Sequence, residues 1–280
     1  MIRYLVSDLD GTLLHGHGES ILDLSEVNKE GIKRAKEHGI HIIPATGRSV
    51  TYPIKLYEMY HFSDDIWGAG LNGAAVYHNG MIQEHGIPAS EIKELLAFVE
   101  PLIKYYDNIQ LQDLWDKRIY YTNQKEPYFR MVKESKVLGC SSTSELEIKE
   151  YLQEYPDTNF GKFSLISYDP TYNIELEKII TSRFGEKYTI TRSNPTYLEI
   201  TNQRASKGTF IQCLIEHGIK REEIAVIGDS YNDASMFSEV IHSFALSHGE
   251  EYVKNHAAHV VDSVAEAIDW IIAYNKKGNE

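Results

Sequence analysis

Apolar residues cluster in a few short runs, and several of these runs end in glycine or acidic residues. Residues 2–6 form the first run, and Gly11 follows closely. A mostly apolar run of this length is typical of a buried strand in a parallel sheet. The further runs that predict strands lie at residues 40–44, 65–70, 223–227 and 241–245.

Helical periodicity separates these runs. Residues 25–38 carry apolar side chains among charged ones, so they predict an amphipathic helix that ends at Gly39. Further helices are predicted at residues 49–60, 206–217 and 263–274, and an alternating strand at residues 197–201. Alternation of strands and helices predicts an α/β fold with a Rossmann-like parallel sheet.

The residue composition changes between residues 86 and 188, where aromatic residues become frequent. Helical and strand-like patterns alternate there, with helices at 90–105, 126–137, 144–154 and 172–184 and strands at 109–111, 118–122, 162–167 and 188–191. A segment of this length suits a separate α/β domain. The sequence therefore predicts a discontinuous core domain (residues 1–85 and 189–280) with an inserted α/β domain (residues 86–188).

Residues 68–73 match the glycine spacing of a dinucleotide-binding motif. That motif needs a helix directly after the glycines. Here two short strand patterns follow, on either side of Asn79 and Gly80, and this arrangement is a hairpin signal. We therefore expect a hairpin and reject the dinucleotide motif.

Composition narrows the class of protein. The chain has 280 residues, of which 42% are hydrophobic and 25% charged, as in globular proteins with a buried core. A net charge of −13 argues against nucleic acid and anionic membranes as partners. Cys140 and Cys213 form no metal-ligand pattern, and no apolar targeting or spanning segment is present. We expect a cytoplasmic protein with free thiols and without an obligate protein partner.

Two aspartates, Asp8 and Asp10, follow the first strand directly. Side chains two apart on a strand point the same way, and adjacent carboxylates repel unless a cation neutralises them. Hard oxygen ligands suit magnesium. The alternative for one such aspartate is a turn or helix cap. Asp229 and Asp233 follow a later strand four residues apart, so a helical turn would bring them together.

Thr46, Gly47 and Arg48 follow the second strand and precede a helix. A threonine hydroxyl and backbone N–H groups at a helix start can bind an anion, although Thr46 is equally suited to cap the helix. Arg48 is suited either to orient a substrate or to pair with a carboxylate. Lys207 begins another helix. The four carboxylates favour a bound cation, whereas Thr46, Lys207 and the helix N-termini favour a bound anion. A metal-bound phosphate would satisfy both preferences.

These segments resemble, in order, the four motifs of the haloacid dehalogenase superfamily. The motifs are Asp8 to Thr12, Thr46 to Arg48, Lys207, and Gly228 to Asp233. The long insert and residues 72–74 resemble the Cof-type phosphatases, which carry a large α/β cap. The resemblance covers the whole chain, but residues 245–249 depart from the usual small-residue segment with Asn-Ala.

The resemblance implies a role for each residue. Asp8 would be the nucleophile, and Asp10 the acid and then the base. Mg²⁺ would be held by Asp8, the Asp10 carbonyl and Asp229, with Asp233 direct or through water. Thr46, Lys207 and Asn232 would hold the phosphoryl oxygens, and Gly47, Arg48 and Asn72 are further candidates for contact with the phosphate or substrate.

The expected function is Mg²⁺-dependent hydrolysis of a small phosphorylated metabolite, with sugar phosphates among the candidates. A phosphosugar mutase would use the same motifs and pass the phosphoryl group to a second hydroxyl. The third hypothesis is a catalytically silent protein that binds a phosphorylated metabolite. It usually lacks the nucleophile or the acid, and both are present here.

Overall fold

The structure is a computed structural model of the 280-residue chain. It describes residues 1–14, 22–63, 65–114, 119–121, 143–144, 148–167, 169–194 and 196–278. The chain divides into two compact units. The core unit comprises Met1–Gln83 and Ser206–Glu280, and the inserted unit comprises Glu84–Ala205.

The described strands and helices follow one another along the chain. The strands are β1 (Tyr4–Ser7), β2 (His41–Pro44), β3 (Trp67–Gly70), β4 (Ala75–His78), β5 (Met81–Glu84), β6 (Ile87–Pro88), β7 (Asn108–Asp113), β8 (Ile119–Tyr121), β9 (Thr143–Ser144), β10 (Asn159–Ile166), β11 (Tyr188–Asn194), β12 (Tyr197–Asn202), β13 (Ile224–Gly228), β14 (His242–Leu246) and β15 (His259–Val261). The α-helices are α1 (Glu26–Glu37), α2 (Thr51–Tyr60), α3 (Ala89–Val99), α4 (Ile148–Glu154), α5 (Pro170–Phe184), α6 (Lys207–Glu216), α7 (Ala234–Phe237), α8 (Glu251–His256) and α9 (Val264–Lys277).

A parallel sheet forms the centre of the core unit, in the order β15-β14-β13-β1-β2. Ser7 pairs in register with Ile227 on one side and Pro44 on the other. Apart from β15 the strands are largely buried, and they pack against α6, where Phe210 and Leu214 join the same apolar cluster. Each fully buried side chain of this kind contributes roughly 1.5–3 kcal/mol. The sheet confirms the predicted α/β fold class with a parallel core.

Helix ends in the core unit follow local signals. The side chain of Ser25 accepts a hydrogen bond from the Asn28 N–H at the start of α1, and Ser206 does the same for Thr209 at α6. Gly39 follows α1 with φ at +68°, a conformation that glycine adopts without strain.

The predicted hairpin is confirmed as β4 and β5, which join β3 in a small three-stranded sheet. Asn79 and Gly80 have positive φ angles of 53° and 156° at the turn. The glycine-spaced segment runs from β3 into a single 3₁₀ turn, Leu71–Gly73, and then into β4. The helix that a dinucleotide motif requires is therefore replaced by a strand.

The inserted unit contains a mixed sheet in the order β11-β12-β10-β7-β8-β9, with β6 paired to β10. One face is apolar because alternate residues such as Leu111, Phe163 and Ile200 join a buried cluster. The cluster also includes Leu95 of α3 and Ile180 of α5. The predicted helix at residues 126–137 lies outside the described residues.

The division between the units differs from the sequence prediction at one end. Residues 189–205 were expected in the core domain, but β11 and β12 pair with each other, and β12 pairs with β10 of the inserted unit. The structure therefore places the second division after Ala205. The alternating pattern of residues 197–201 correctly predicts a strand, but its pairing partner is not encoded locally.

In the part of the chain that the structure describes, every helix is too short or too polar to cross a membrane. Cys213 is buried as a free thiol, and burial raises its pKa to about 11. The predicted free thiol at this position is thereby confirmed.

Two histidines at the edge of the core sheet give a testable pH dependence. His242 and His259 pack around Trp270, with ring centroids 5.5 and 4.4 Å away. Partial burial lowers the pKa of both, and His259 further lowers the pKa of His242. Because each folded-state pKa lies below the ordinary 6.5, the unfolded chain binds more protons around that pH. The contribution of the two histidines to the free energy of unfolding is therefore fully present above pH 6.5 and is lost as the pH falls below it.

We therefore expect the two histidines to contribute a fall in melting temperature as the pH is lowered from about 7.5 to about 5.5. Thermal unfolding of wild type and of a double variant, His242→Gln with His259→Gln, measures the contribution. The variant should show a shallower pH dependence. Parallel pH profiles for the two proteins would contradict the assignment.

Candidate active site

Polar residues follow three adjacent strands of the parallel sheet, at the carboxyl end of each. Asp8 follows β1, Thr46 follows β2 by two residues, and Asp229 follows β13. Adjacent parallel strands end at the same edge of a sheet, where open α/β sheets carry their sites. The backbone confirms this proximity because the Asp8 N–H donates to the Ile227 carbonyl at 3.0 Å and the Ala45 N–H to the Ser7 carbonyl at 2.8 Å.

Lys207 lies between two aspartates at this edge. Its ammonium group donates to Asp233 Oδ1 at 2.5 Å and to Asp8 Oδ1. The Lys207 and Asp233 side chains are fully buried and Asp8 nearly so. Lys207 is the first residue of α6, so the cap at Ser206 fixes the point from which this side chain extends.

Burial and charge act in opposite directions on these groups. Burial raises the pKa of Asp8 well above its ordinary value, and the carboxylates of Asp233 and Asp229 raise it further, against the opposing effect of Lys207. Burial would lower the pKa of Lys207, but Asp233 and Asp8 together raise it above its ordinary value. Lys207 is therefore a permanent cation in the site.

A turn of 3₁₀ helix, Tyr231–Asp233, brings Asp233 back beneath Asp229. Asp233 Oδ2 accepts the N–H groups of Asp229 and Ser230, both at 2.9 Å. Gly228 leaves room for this carboxylate, since a Cβ atom there would lie 2.3 Å from Asp233 Cγ. The predicted proximity of Asp229 and Asp233 is confirmed.

Asp229 is held by Thr12, a residue of the first motif for which the sequence predicts no role of its own. The Thr12 hydroxyl donates to Asp229 Oδ1 at 2.6 Å, and Thr12 is fully buried. Burial raises the pKa of Asp229, and the Thr12 hydrogen bond opposes this shift. Gly11, with φ at +84°, lies directly against the same carboxylate, because a Cβ there would lie 2.6 Å from Asp229 Oδ2.

Three of these aspartates could hold a metal ion. Asp8, Asp229 and Asp233 each offer a carboxylate oxygen, and these atoms all lie within 4.8 Å of one another. Once ionised, as metal ligation requires, the three carboxylates together with the Lys207 ammonium would carry two net negative charges, the number that a divalent cation neutralises. Carboxylate oxygens are ligands that Mg²⁺ prefers. The donor set therefore fits the predicted ion.

Asp10 stands apart from this trio. Its side chain is half exposed, and Arg48 holds it with Nε at 2.7 Å from Oδ2 and with Nη2 against Oδ1. Of the two possibilities for Arg48, the structure shows pairing with a carboxylate. The side chain of Asp10 does not belong to the acidic trio found among the described residues.

The remaining predicted residues lie around the turn after β2. The Thr46 hydroxyl accepts the Arg48 N–H at 3.1 Å, and the Thr46 carbonyl accepts the Asn72 N–H at 2.9 Å. Gly47 faces Asn72, whose side-chain oxygen would lie 3.2 Å from a Cβ atom at Gly47. Asn232 Nδ2 donates to Asn72 Oδ1 at 2.9 Å. These four residues therefore form one connected group beside Arg48.

His248 also reaches this edge. Its Nε2 lies 2.9 Å from the Gly11 carbonyl oxygen. His248 belongs to residues 245–249, which depart from the usual family segment. The contact partner was not predictable from the sequence, because Gly11 is 237 positions away.

Comparison with known proteins agrees with this architecture. The sequence pattern of the haloacid dehalogenase-like hydrolases matches residues 5–270. The 5-amino-6-(5-phospho-D-ribitylamino)uracil phosphatase YcsE of Bacillus subtilis is 25% identical over 279 residues, which cover 97% of this chain and 96% of that protein.

Two solved structures show the same fold. A HAD/COF-like hydrolase from Plasmodium vivax aligns with a TM-score of 0.78 and 23% identity, over 98% of this chain and 96% of that one. The subclass IIB sugar phosphatase BT4131 aligns with a TM-score of 0.75 and 22% identity, over 96% and 98%. Since the family pattern spans nearly the whole sequence and the fold agrees, the chain belongs to the haloacid dehalogenase-like hydrolases.

Proposed function

We propose that the protein is a Mg²⁺-dependent phosphatase that hydrolyses a small phosphorylated metabolite through an aspartyl-phosphate intermediate. The observation that carries this proposal is the buried Asp8 carboxylate, held by Lys207 beside Asp229 and Asp233. A carboxylate in this setting can act as a nucleophile and divide one difficult displacement into two easier ones.

In the first half of the reaction, an Asp8 oxygen forms a bond to phosphorus. The bond from phosphorus to the leaving oxygen breaks with its electron pair on that oxygen, and Asp10 supplies a proton to it. In the second half, water attacks the phosphorus of the aspartyl phosphate while Asp10 takes a proton from the water. The bond to Asp8 breaks with its electron pair on the Asp8 carboxylate, and inorganic phosphate is released.

Asp8, Asp229 and Asp233 would hold the magnesium ion, with the Asp10 carbonyl as a further oxygen ligand. The ion would neutralise charge on the phosphoryl oxygens. Thr46, Gly47, Asn72 and Asn232 are assigned to the phosphoryl group because they adjoin the acidic trio and offer hydroxyl, amide and backbone N–H groups. Lys207 supplies a fixed positive charge to the same site.

Sugar and polyol phosphates are the proposed substrate class. The relative from Bacillus subtilis is named for a phosphorylated ribityl compound, and BT4131 is described as a sugar phosphatase. We further propose that the two units are a catalytic core and a cap, and that the protein is cytoplasmic, as the free thiol of Cys213 favours.

The test is phosphate release from a panel of phosphorylated sugars, polyols and short acids, with millimolar magnesium and with excess chelator. We expect release that requires the metal and that ranks sugar or polyol phosphates first. Isomerisation of a phosphosugar without free phosphate would identify a mutase instead. Saturable binding of a phosphorylated compound without any turnover would identify a silent binding protein.

A further inference from the structure

The contact between Arg48 and Asp10 is a two-point ion pair. Nε and Nη2 of the guanidinium each meet a different oxygen of the carboxylate. Such pairs fix the orientation of the carboxylate as well as attract it. Orientation matters here because the Asp10 side chain is 50% exposed and follows the end of a strand, where a lone aspartate has several accessible rotamers.

Arg48 is itself immobilised by its surroundings. Its guanidinium lies over the ring of Tyr52, 4.7 Å from the centroid. Its backbone N–H donates to the Thr46 hydroxyl, and its carbonyl accepts the Leu71 N–H at 2.7 Å. The position of Asp10 is therefore tied to the turn after β2 and to the segment after β3.

We propose that Arg48 is a positioning residue that orients Asp10 as the base for hydrolysis of the aspartyl phosphate. The inference rests on the proposed function. In that step a water oxygen bonds to phosphorus, Asp10 accepts a water proton, and the bond from phosphorus to Asp8 breaks with its electrons on Asp8.

The competing assignment places Arg48 directly on the phosphoryl group, in line with its candidacy for phosphate or substrate binding. The two roles affect different kinetic parameters. A residue that binds the phosphoryl group contributes to kcat/KM for every substrate. A residue that acts only on the second half-reaction lowers kcat and leaves kcat/KM unchanged, because kcat/KM reports steps up to departure of the leaving group.

The test uses 4-nitrophenyl phosphate, whose leaving group departs without protonation. For Arg48→Met we expect kcat to fall ~10–100-fold, the range that loss of orientation produces. KM should fall in parallel, so that kcat/KM stays within about threefold of wild type. Rapid mixing should show a burst of about one nitrophenol per active site, since the intermediate accumulates.

Asp10→Asn should behave in the same way, and the double variant should be no slower than Asp10→Asn alone, because residues that act as a unit are not additive. Arg48→Lys keeps the positive charge but cannot form the two-point ion pair, so its kcat should lie between those of Arg48→Met and wild type. The matched control is Arg34→Met. Arg34 forms an equivalent two-point pair with Asp269, at 2.8 and 2.9 Å, and its loss should leave all parameters unchanged.

A fall of tenfold or more in kcat/KM for a folded Arg48→Met protein would overturn the proposal and place Arg48 on the phosphoryl group. Additive losses in the double variant would also overturn it. Thermal unfolding of each variant establishes that it is folded. Failure of the wild type to release phosphate from any compound would instead overturn the proposed phosphatase function, and this inference would fall with it.

Discussion

Replacement of Asp8 by asparagine should reduce phosphate release at least ~10³-fold, because a neutral amide cannot form the acyl phosphate. The thermal stability of the same variant should not fall with its activity. Burial raises the pKa of Asp8, so the folded state loses stability as the pH rises through that pKa. At neutral pH, Asp8→Asn removes this unfavourable buried charge and should leave the melting temperature unchanged or raise it.

The measurement pairs phosphate release with thermal unfolding at pH 7. Asp262→Asn is the control, because it makes the same chemical change at an exposed aspartate of the core unit. Loss of activity together with a folded protein that is no less stable would separate a catalytic role from a structural one. Activity within tenfold of wild type would exclude Asp8 as the nucleophile.

Lys207→Met should destabilise the protein more than any surface substitution. The Lys207 ammonium group compensates two buried carboxylates, those of Asp8 and Asp233. Removing one member of a buried ion pair typically costs about 3–5 kcal/mol, because the remaining charge is left without compensation. We expect the free energy of unfolding, measured in urea at neutral pH, to fall by about this amount.

Lys29→Met provides the comparison, since Lys29 pairs with Glu26 at 2.7 Å on the surface of α1. Exposed pairs contribute about 0–1 kcal/mol. A Lys207→Met protein that unfolds at the same urea concentration as Lys29→Met would show that the two carboxylates are compensated by something other than Lys207. Adding Asp8→Asn to Lys207→Met should recover part of the loss, because one uncompensated charge is then removed.

Local sequence patterns determined which segments become strands and where each strand ends. A buried strand needs a run of apolar side chains and a turn needs glycine or asparagine, so both leave a signature within a few residues. The ends of β1 and β13, and the hairpin at Asn79 and Gly80, were predictable for this reason. The parallel crossover then placed Asp8 and Thr46 at one edge.

Pairing between distant segments was not available locally. The alternating pattern at β12 predicts a strand equally well in either unit, and only its hydrogen bonds to β10 and β11 assign it to the inserted unit. Arg48 was suited to a substrate or to a carboxylate, and its pairing with Asp10, 38 positions earlier, is visible only in the folded chain.

In the acidic site, too, the sequence predicted the candidate residues but not their contacts. Sequence identified Asp8, Asp229, Asp233 and Lys207 as candidates because each follows a strand or begins a helix. It did not reveal that Lys207 lies between Asp8 and Asp233, nor that Thr12 holds Asp229. Those contacts set burial and charge, and hence the pKa values of the site, because both depend on which side chains the folded chain brings within a few ångströms. The sequence therefore determined which ionisable residues are present, and the tertiary structure determined their contacts, their burial and their pKa values.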